Sequence, residues 1–218
     1  MRESRNRSKY SKIKNIILRH INNNLKDYTI LTLFFIVGII VGVIFINNIN
    51  ESEQNQISGY VKGIINSLNQ DYEIDNLELF KKSLLDNFKL TCILWLMGLT
   101  VIGMPLIYGV MLYRGFCIGY TSASIIGVLG TKKGIIFLIS SLFMQNIIFI
   151  PCVLALGVSG LKLYRSIIKD RRKENIKIEI YRHTVFCMII FIGLIISSII
   201  EAYVSSGLFS YIVKFLLL

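Results

Sequence analysis

The chain has 218 residues, 54% of them hydrophobic and 17% charged, with a formal net charge of +11. An average soluble domain is about 25% charged, and the charges here gather in blocks between long uncharged runs. That pattern excludes an ordinary soluble domain and points to a polytopic membrane protein. It also makes the excess positive charge a determinant of topology and lipid contact, with no call for a nucleic-acid partner.

Residues 1–28 carry Arg2, Arg5, Arg7, Lys9, Lys12, Lys14, Arg19 and Lys26. Within them Ile13, Ile16, Ile17, Ile21 and Leu25 recur at helical spacing, which predicts a basic amphipathic helix at the cytoplasmic interface. Its structural role is lipid contact; its functional alternative is docking of a cytoplasmic partner. The first uncharged run is Tyr28–Asn50, with a retained span expected over 29–48. No small-residue cleavage signal follows Ile46, so a secretory leader is not expected.

Residues 49–89 contain seven acids against four lysines. This stretch reads as an extracytoplasmic loop of two short helices. Ile57, Tyr60, Val61, Ile64, Ile65 and Leu68 follow a helical period, weakened by Gly59 and Gly63. The second helix opens with Asp75 as N-cap and Glu78 three residues on. Leu77, Phe80, Leu84 and Phe88 would form its apolar stripe. Such a stripe buries against lipid or a neighbouring helix, or it serves as a partner-binding face.

The membrane core is expected over 90–204, built from the uncharged runs Leu90–Tyr113, Gly115–Thr131, Gly134–Leu161 and His183–Ile200. About 20 apolar residues cross a bilayer as a helix, so the 17-residue run Gly115–Thr131 spans only if short. The stretch 115–150 therefore reads either as two spans or as a re-entrant hairpin. Gly38/Gly42 and Gly115/Gly119 are spaced for close helix approach. Gly103 and Pro105 interrupt the second run, and Pro105 is expected to kink it. Arg114 is a lone charge between two runs. Gln145, Asn146 and Pro151 are expected to bond or pack between helices, with a partner or substrate role as the alternative. Glu201 ends the last run, either at the membrane edge or as a paired functional group. The tail is 205–218.

A second basic block, Lys162, Arg165, Lys169, Arg171, Arg172, Lys173, Lys177 and Arg182, fills the loop 162–183. Five spans with a cytoplasmic N-terminus place both basic blocks inside and the C-terminus outside. Lys132 and Lys133 mildly oppose that scheme. The expected fold is thus an all-α polytopic membrane bundle of about five spans with a helical extracytoplasmic loop.

Catalytic signatures are missing. There is no phosphate-binding G-x-x-x-x-G-K-[ST], no H-E-x-x-H and no G-x-S-x-G. His20 and His183 have no nearby ligand partners in sequence. Cys92, Cys117, Cys152 and Cys187 fall one per late run and read as small core residues. No cofactor and no metal is expected, and the chain reads as a non-enzyme.

Several motifs, in order, resemble one known family. They are Leu94-Trp95-Leu96-Met97-Gly98-Leu99-Thr100-Val101-Ile102-Gly103-Met104-Pro105-Leu106; Arg114-Gly115-Phe116 with Gly119; Gly130-Thr131-Lys132-Lys133-Gly134; Gln145-Asn146 with Pro151; and Glu201-Ala202 with Val204. Together they resemble the stage II sporulation protein M family over roughly residues 87–205. Departures are Met144 where a proline is expected, Ser205-Ser206 for a Thr-Pro, and one extra residue in the Gly-Lys turn. The resemblance implies a membrane scaffold at the septal or engulfing cell membrane during forespore engulfment. It implies partners resembling stage II sporulation proteins P and D, which degrade peptidoglycan outside the membrane. Homo-oligomerisation is compatible with it. The rival reading is the permease half of an ABC-2-type exporter with a cytoplasmic ATPase. A sporulation-independent membrane protein of the same superfamily is a further rival.

Overall fold

A computed structural model describes residues 20–69, 75–100, 102–139, 144–169 and 176–207. Most of the basic amphipathic segment, the tip of the 162–183 loop and most of the C-terminal tail lie outside the described residues. Among the described residues, seven helices of eight or more residues follow in order: α1 Leu25–Asn47, α2 Glu51–Asn69, α3 Asn76–Leu99, α4 Gly103–Leu129, α5 Thr131–Leu138, α6 Met144–Lys169 and α7 Ile176–Ile199. The last continues through a π-helical turn, Ile200–Ser205. Among the described residues there is no strand.

Among the described residues, four helical segments are long and apolar enough to cross a membrane: Leu25–Asn47, Gly103–Leu129, Gln145–Ile168 and Ile176–Ser205. The 24-residue α3 is a fifth rod beside them, mixed in character because its first half carries charge. The chain is therefore an all-α polytopic membrane protein.

The run Leu90–Tyr113 is not one span. It breaks at Thr100, whose extended backbone ends α3, and residues 103–113 join 115–129 in the single helix α4. Pro105 does not kink a helix. It sits in the first turn of α4, where a missing N–H costs nothing because those donors have no intrahelical acceptor. Gly103 makes the reversal possible: its N–H bonds the Thr100 carbonyl at 3.0 Å, and a Cβ there would run into the Met97 carbonyl. The question over 115–150 resolves in the same way. Instead of two spans or a hairpin, residues 115–129 finish α4, eight residues form α5, and α6 follows. Gly130 turns the corner at φ 78°, a backbone that favours glycine.

Helix directions follow from the contacts. Gly115 and Gly119 of α4 lie against the Phe35 and Ile39 backbone of α1, and Gly38 and Gly42 lie against Leu112 and Phe116. The register rises on both helices, so α1 and α4 run parallel. All four glycines sit at one seam, where any Cβ would meet backbone; close approach replaces the hydrophobic drive that lipid cannot supply. Helix α7 runs antiparallel to α3, with Trp95 bonding Thr184 at one end and Ser206 facing Asn76 at the other. It also runs antiparallel to α6, from Ser159–His183 to Gln145–Ser197. The bundle thus has an Asp27 end and an Asn47 end, and Lys132 and Lys133 lie at the Asn47 end, at the α4–α5 turn.

Leu31, Leu94, Ile107, Met111, Leu156, Leu161 and Leu194 form the buried core between α1, α3, α4, α6 and α7. Isoleucines such as Ile40, Ile44, Ile189 and Ile192 are exposed on the outer faces, as lipid-facing residues are. Val61 of α2 packs on a small second cluster around Ile125 and Phe137. Asp75 caps α3 as its sequence predicts, accepting from the Leu77 and Glu78 amides at 2.9 and 3.1 Å.

Candidate functional site

Polar side chains from four helices meet in one place. Ser83 and Asn87 of α3 are buried, although neither belongs to the apolar stripe expected there. Thr91, one turn further, is buried too and bonds back to the Asn87 carbonyl at 2.8 Å. Helix α3 therefore turns a polar edge inward, and its predicted stripe falls to the sides. Leu77 and Phe88 are exposed, Phe80 and Leu84 half-buried. Phe88 meets Phe191 of α7 edge to face, ring centroids 5.7 Å apart.

The inward edge of α3 engages the last turns of α7. Asn87 Nδ2 donates to Ser198 Oγ at 2.8 Å. The Ser83 hydroxyl donates to Glu201 Oε2 and lies 3.0 Å from Ser198 Oγ. From α6, Gln145 Nε2 donates to the same Oε2 at 2.6 Å. Glu201 is the first acid of the π-helical turn. Such turns, rare in general, recur at functional sites because they re-aim a side chain.

Ser83, Asn87, Gln145 and Glu201 line a cavity of about 190 Å³ together with Asp86, Arg114, Cys117, Ile118, Asn146 and Phe149. The Arg114 guanidinium sits over the Phe149 ring, 5.5 Å from its centroid. The structure thus brings together four residues singled out from sequence, Arg114, Gln145, Asn146 and Glu201. It leaves the others elsewhere. Gly115 belongs to the α1 seam, Gly103 and Pro105 to the opposite end of α4, and Pro151 is exposed on α6.

Two further buried polar groups were not foreseen. Asp27, 4% exposed, takes a bidentate bond from Arg165 at 2.6 and 2.9 Å. The signal was present: Asp27, Leu31, Phe35, Gly38, Gly42 and Ile46 are the buried residues of α1 and recur every three or four positions. His183 is buried, 2.8 Å from Ser159 Oγ and beside Cys187. The two polar positions of α3, Ser83 and Asn87, share the same helical spacing with Leu90, Leu94 and Gly98.

Fold and site define a class: a multi-span helical membrane protein with a closed polar network among its apolar helices. Within that class, the chain belongs to the Stage II sporulation protein M family, whose family model matches residues 31–206. The match reaches beyond the motifs of α3 to α7 to include α1 and α2. No curated protein and no solved structure matches the chain.

Proposed function

We propose that this sporulation-family membrane protein is a non-enzymatic scaffold acting in forespore engulfment. In this reading it sits in the septal and engulfing cell membrane and gathers peptidoglycan-degrading partners that resemble stage II sporulation proteins P and D. Family membership supports the process. The observation that carries the scaffold reading is apolar surface at the Asn47 end, on helices apart from the four most apolar spans. Tyr60 of α2 is 73% exposed and Leu77 of α3 is 53% exposed. Exposed apolar groups of this kind mark contact with lipid or a partner. With both basic blocks cytoplasmic, that end faces the peptidoglycan.

Replacing Tyr60 and Leu77 together by Ser tests the reading. Both side chains are surface groups, so insertion should be unaffected. The expected result is normal membrane abundance, reduced co-purification of the peptidoglycan-degrading partners from sporulating cells, and arrested engulfment. Normal abundance with normal recruitment would remove the surface from consideration. The exporter reading draws on the polar cavity, and co-purification of a cytoplasmic ATPase would favour it.

A further inference from the structure

The cavity between α3, α4, α6 and α7 holds charges of both signs that form no ion pair with one another; Asp86, at its rim, pairs instead with Lys89 at 3.4 Å. Arg114 projects from α4; Glu201 and Asp86 come from α7 and α3. Among the described residues Arg114 forms no ion pair, and its guanidinium lies over the Phe149 ring. Both hydrogen bonds to Glu201 fall on Oε2. Its Oε1 accepts from no described residue. A cation and a carboxylate facing one cavity of low dielectric attract strongly when they meet. Here they are held apart, each with unused bonding capacity.

We propose that this cavity binds a small zwitterion carrying a primary ammonium and a phosphate or carboxylate group. The anionic end takes the Arg114 guanidinium, whose planar fork suits two oxygens at once. The ammonium donates to Glu201 Oε1, with Asp86 adding negative potential at the rim. The side-chain amides of Gln145 and Asn87 already donate within the network, and their oxygens offer acceptors to the link between. A simple anion is disfavoured by the two carboxylates and a simple cation by Arg114. The volume of about 190 Å³ falls below the range of about 300–1,000 Å³ for drug-sized ligands, which fits a lipid headgroup or an amino acid. The inference stands apart from the scaffold reading, because neither Tyr60 nor Leu77 lines the cavity.

The test uses the full-length protein in detergent, reading thermal midpoint and native mass spectrometry. Three probes are added in turn: phosphatidylethanolamine, phosphatidylglycerol and soluble phosphoethanolamine. A midpoint rise with phosphatidylethanolamine but not phosphatidylglycerol supports a zwitterionic headgroup. A rise with phosphoethanolamine supports a soluble zwitterion of the same chemistry. Glu201→Gln should weaken binding about tenfold through loss of a charged hydrogen bond, and Arg114→Gln should do the same. Asp86→Asn should weaken it about threefold, as a rim charge does. Its side chain is 56% exposed, so this variant keeps the fold intact if the buried ones do not. Equal response to phosphatidylethanolamine and phosphatidylglycerol, no response to any probe, or full affinity in Asp86→Asn and Arg114→Gln would overturn the proposal.

Discussion

Asp27 and Arg165 join α1 to α6 at one end of the bundle. The carboxylate on the first turn of α1 takes two bonds, 2.6 and 2.9 Å, from a guanidinium 138 residues away on α6. A fork-to-fork pair fixes orientation as well as distance. It also neutralises Asp27 where burial would make a lone carboxylate expensive. Asp27→Ala should therefore destabilise the protein. Breaking a buried pair costs about 3–5 kcal/mol. Arg165 keeps a 40% exposed side chain, which brings the expected loss to about 2 kcal/mol after discounting for solvent screening. A lowered thermal midpoint in detergent, partly restored by the swap Asp27→Arg with Arg165→Asp, would bear this out. An unchanged midpoint would show that the pair is not holding α1 to α6.

The glycine seam gives opposite predictions for chemically identical changes. Gly115→Ala puts a methyl group against the Phe35 carbonyl, and helix backbone cannot step aside as a side chain can. The α1–α4 contact should open and the protein should lose about 1–3 kcal/mol, as overpacked sites do. Gly59→Ala on α2 meets nothing within 4 Å and should stabilise that helix by about 1 kcal/mol through propensity alone. Paired thermal melts of the two variants decide the point. A melt left unchanged by Gly115→Ala would mean that the seam is not tight.

The helical membrane fold was legible because hydrophobic run length reports it directly. The seams between helices were not, because a membrane span of uniform apolarity hides where it ends. Thr100 to Gly103 is a break inside one continuous apolar run, and Arg114 is a charge inside one continuous helix. Charge therefore marked a boundary that does not exist, and apolarity concealed one that does. Position in the bundle was harder still. Glu201 and Gln145 could be singled out as polar residues in apolar surroundings. Ser83 and Asn87 could not, since in a half-charged segment like α3 they resemble ordinary surface residues until α7 is seen to cover them.

His20 supplies a pH dependence outside the spans. Its ring stacks on Phe186 with centroids 4.9 Å apart and lies 3.3 Å from the Tyr28 hydroxyl. Burial first, and then the positive charge of Lys162, holds its pKa below the ordinary value of 6.5. The folded protein thus binds fewer protons at this site than the unfolded chain. The stability it contributes is fully present above pH 6.5 and declines as pH falls below it. The thermal midpoint should drop between pH 7.5 and pH 5.5, and the drop should shrink in His20→Phe. An identical pH slope in both proteins would assign the effect to other groups.

Topology is testable at single introduced cysteines, with the four native cysteines replaced by Ser or Ala. Ser52 at the start of α2 and Lys177 at the start of α7 are both exposed and lie at opposite ends of the bundle. Two basic blocks of eight Lys/Arg each, at residues 1–28 and 162–183, argue that the Asp27 end is cytoplasmic. Ser52→Cys should react with an impermeant thiol reagent in intact cells stripped of their wall. Lys177→Cys should react only after lysis. The reverse pattern would invert the protein and move the α2–α3 surface to the cytoplasm.

The bond from Gln145 to Glu201 ties the start of α6 to the π-helical turn of α7, and its loss has a defined signature. Gln145 is one of two donors to the Glu201 Oε2, at 2.6 Å, the other being Ser83. Gln145→Leu removes that donor and puts an apolar side chain beside a carboxylate. Inter-helix bonds in membranes are worth about 1–2 kcal/mol at most in model peptides, so a stability loss of that size is expected. Gln145→Glu should cost more, because it sets two carboxylates side by side in apolar surroundings. The pair Gln145→Glu with Glu201→Gln exchanges acceptor and donor and should recover much of the loss. Thermal melts of the two single variants and the double variant form a complete cycle. A coupling energy near zero would mean that the two side chains stabilise the bundle separately, and the polar network would then not be the clasp between α6 and α7.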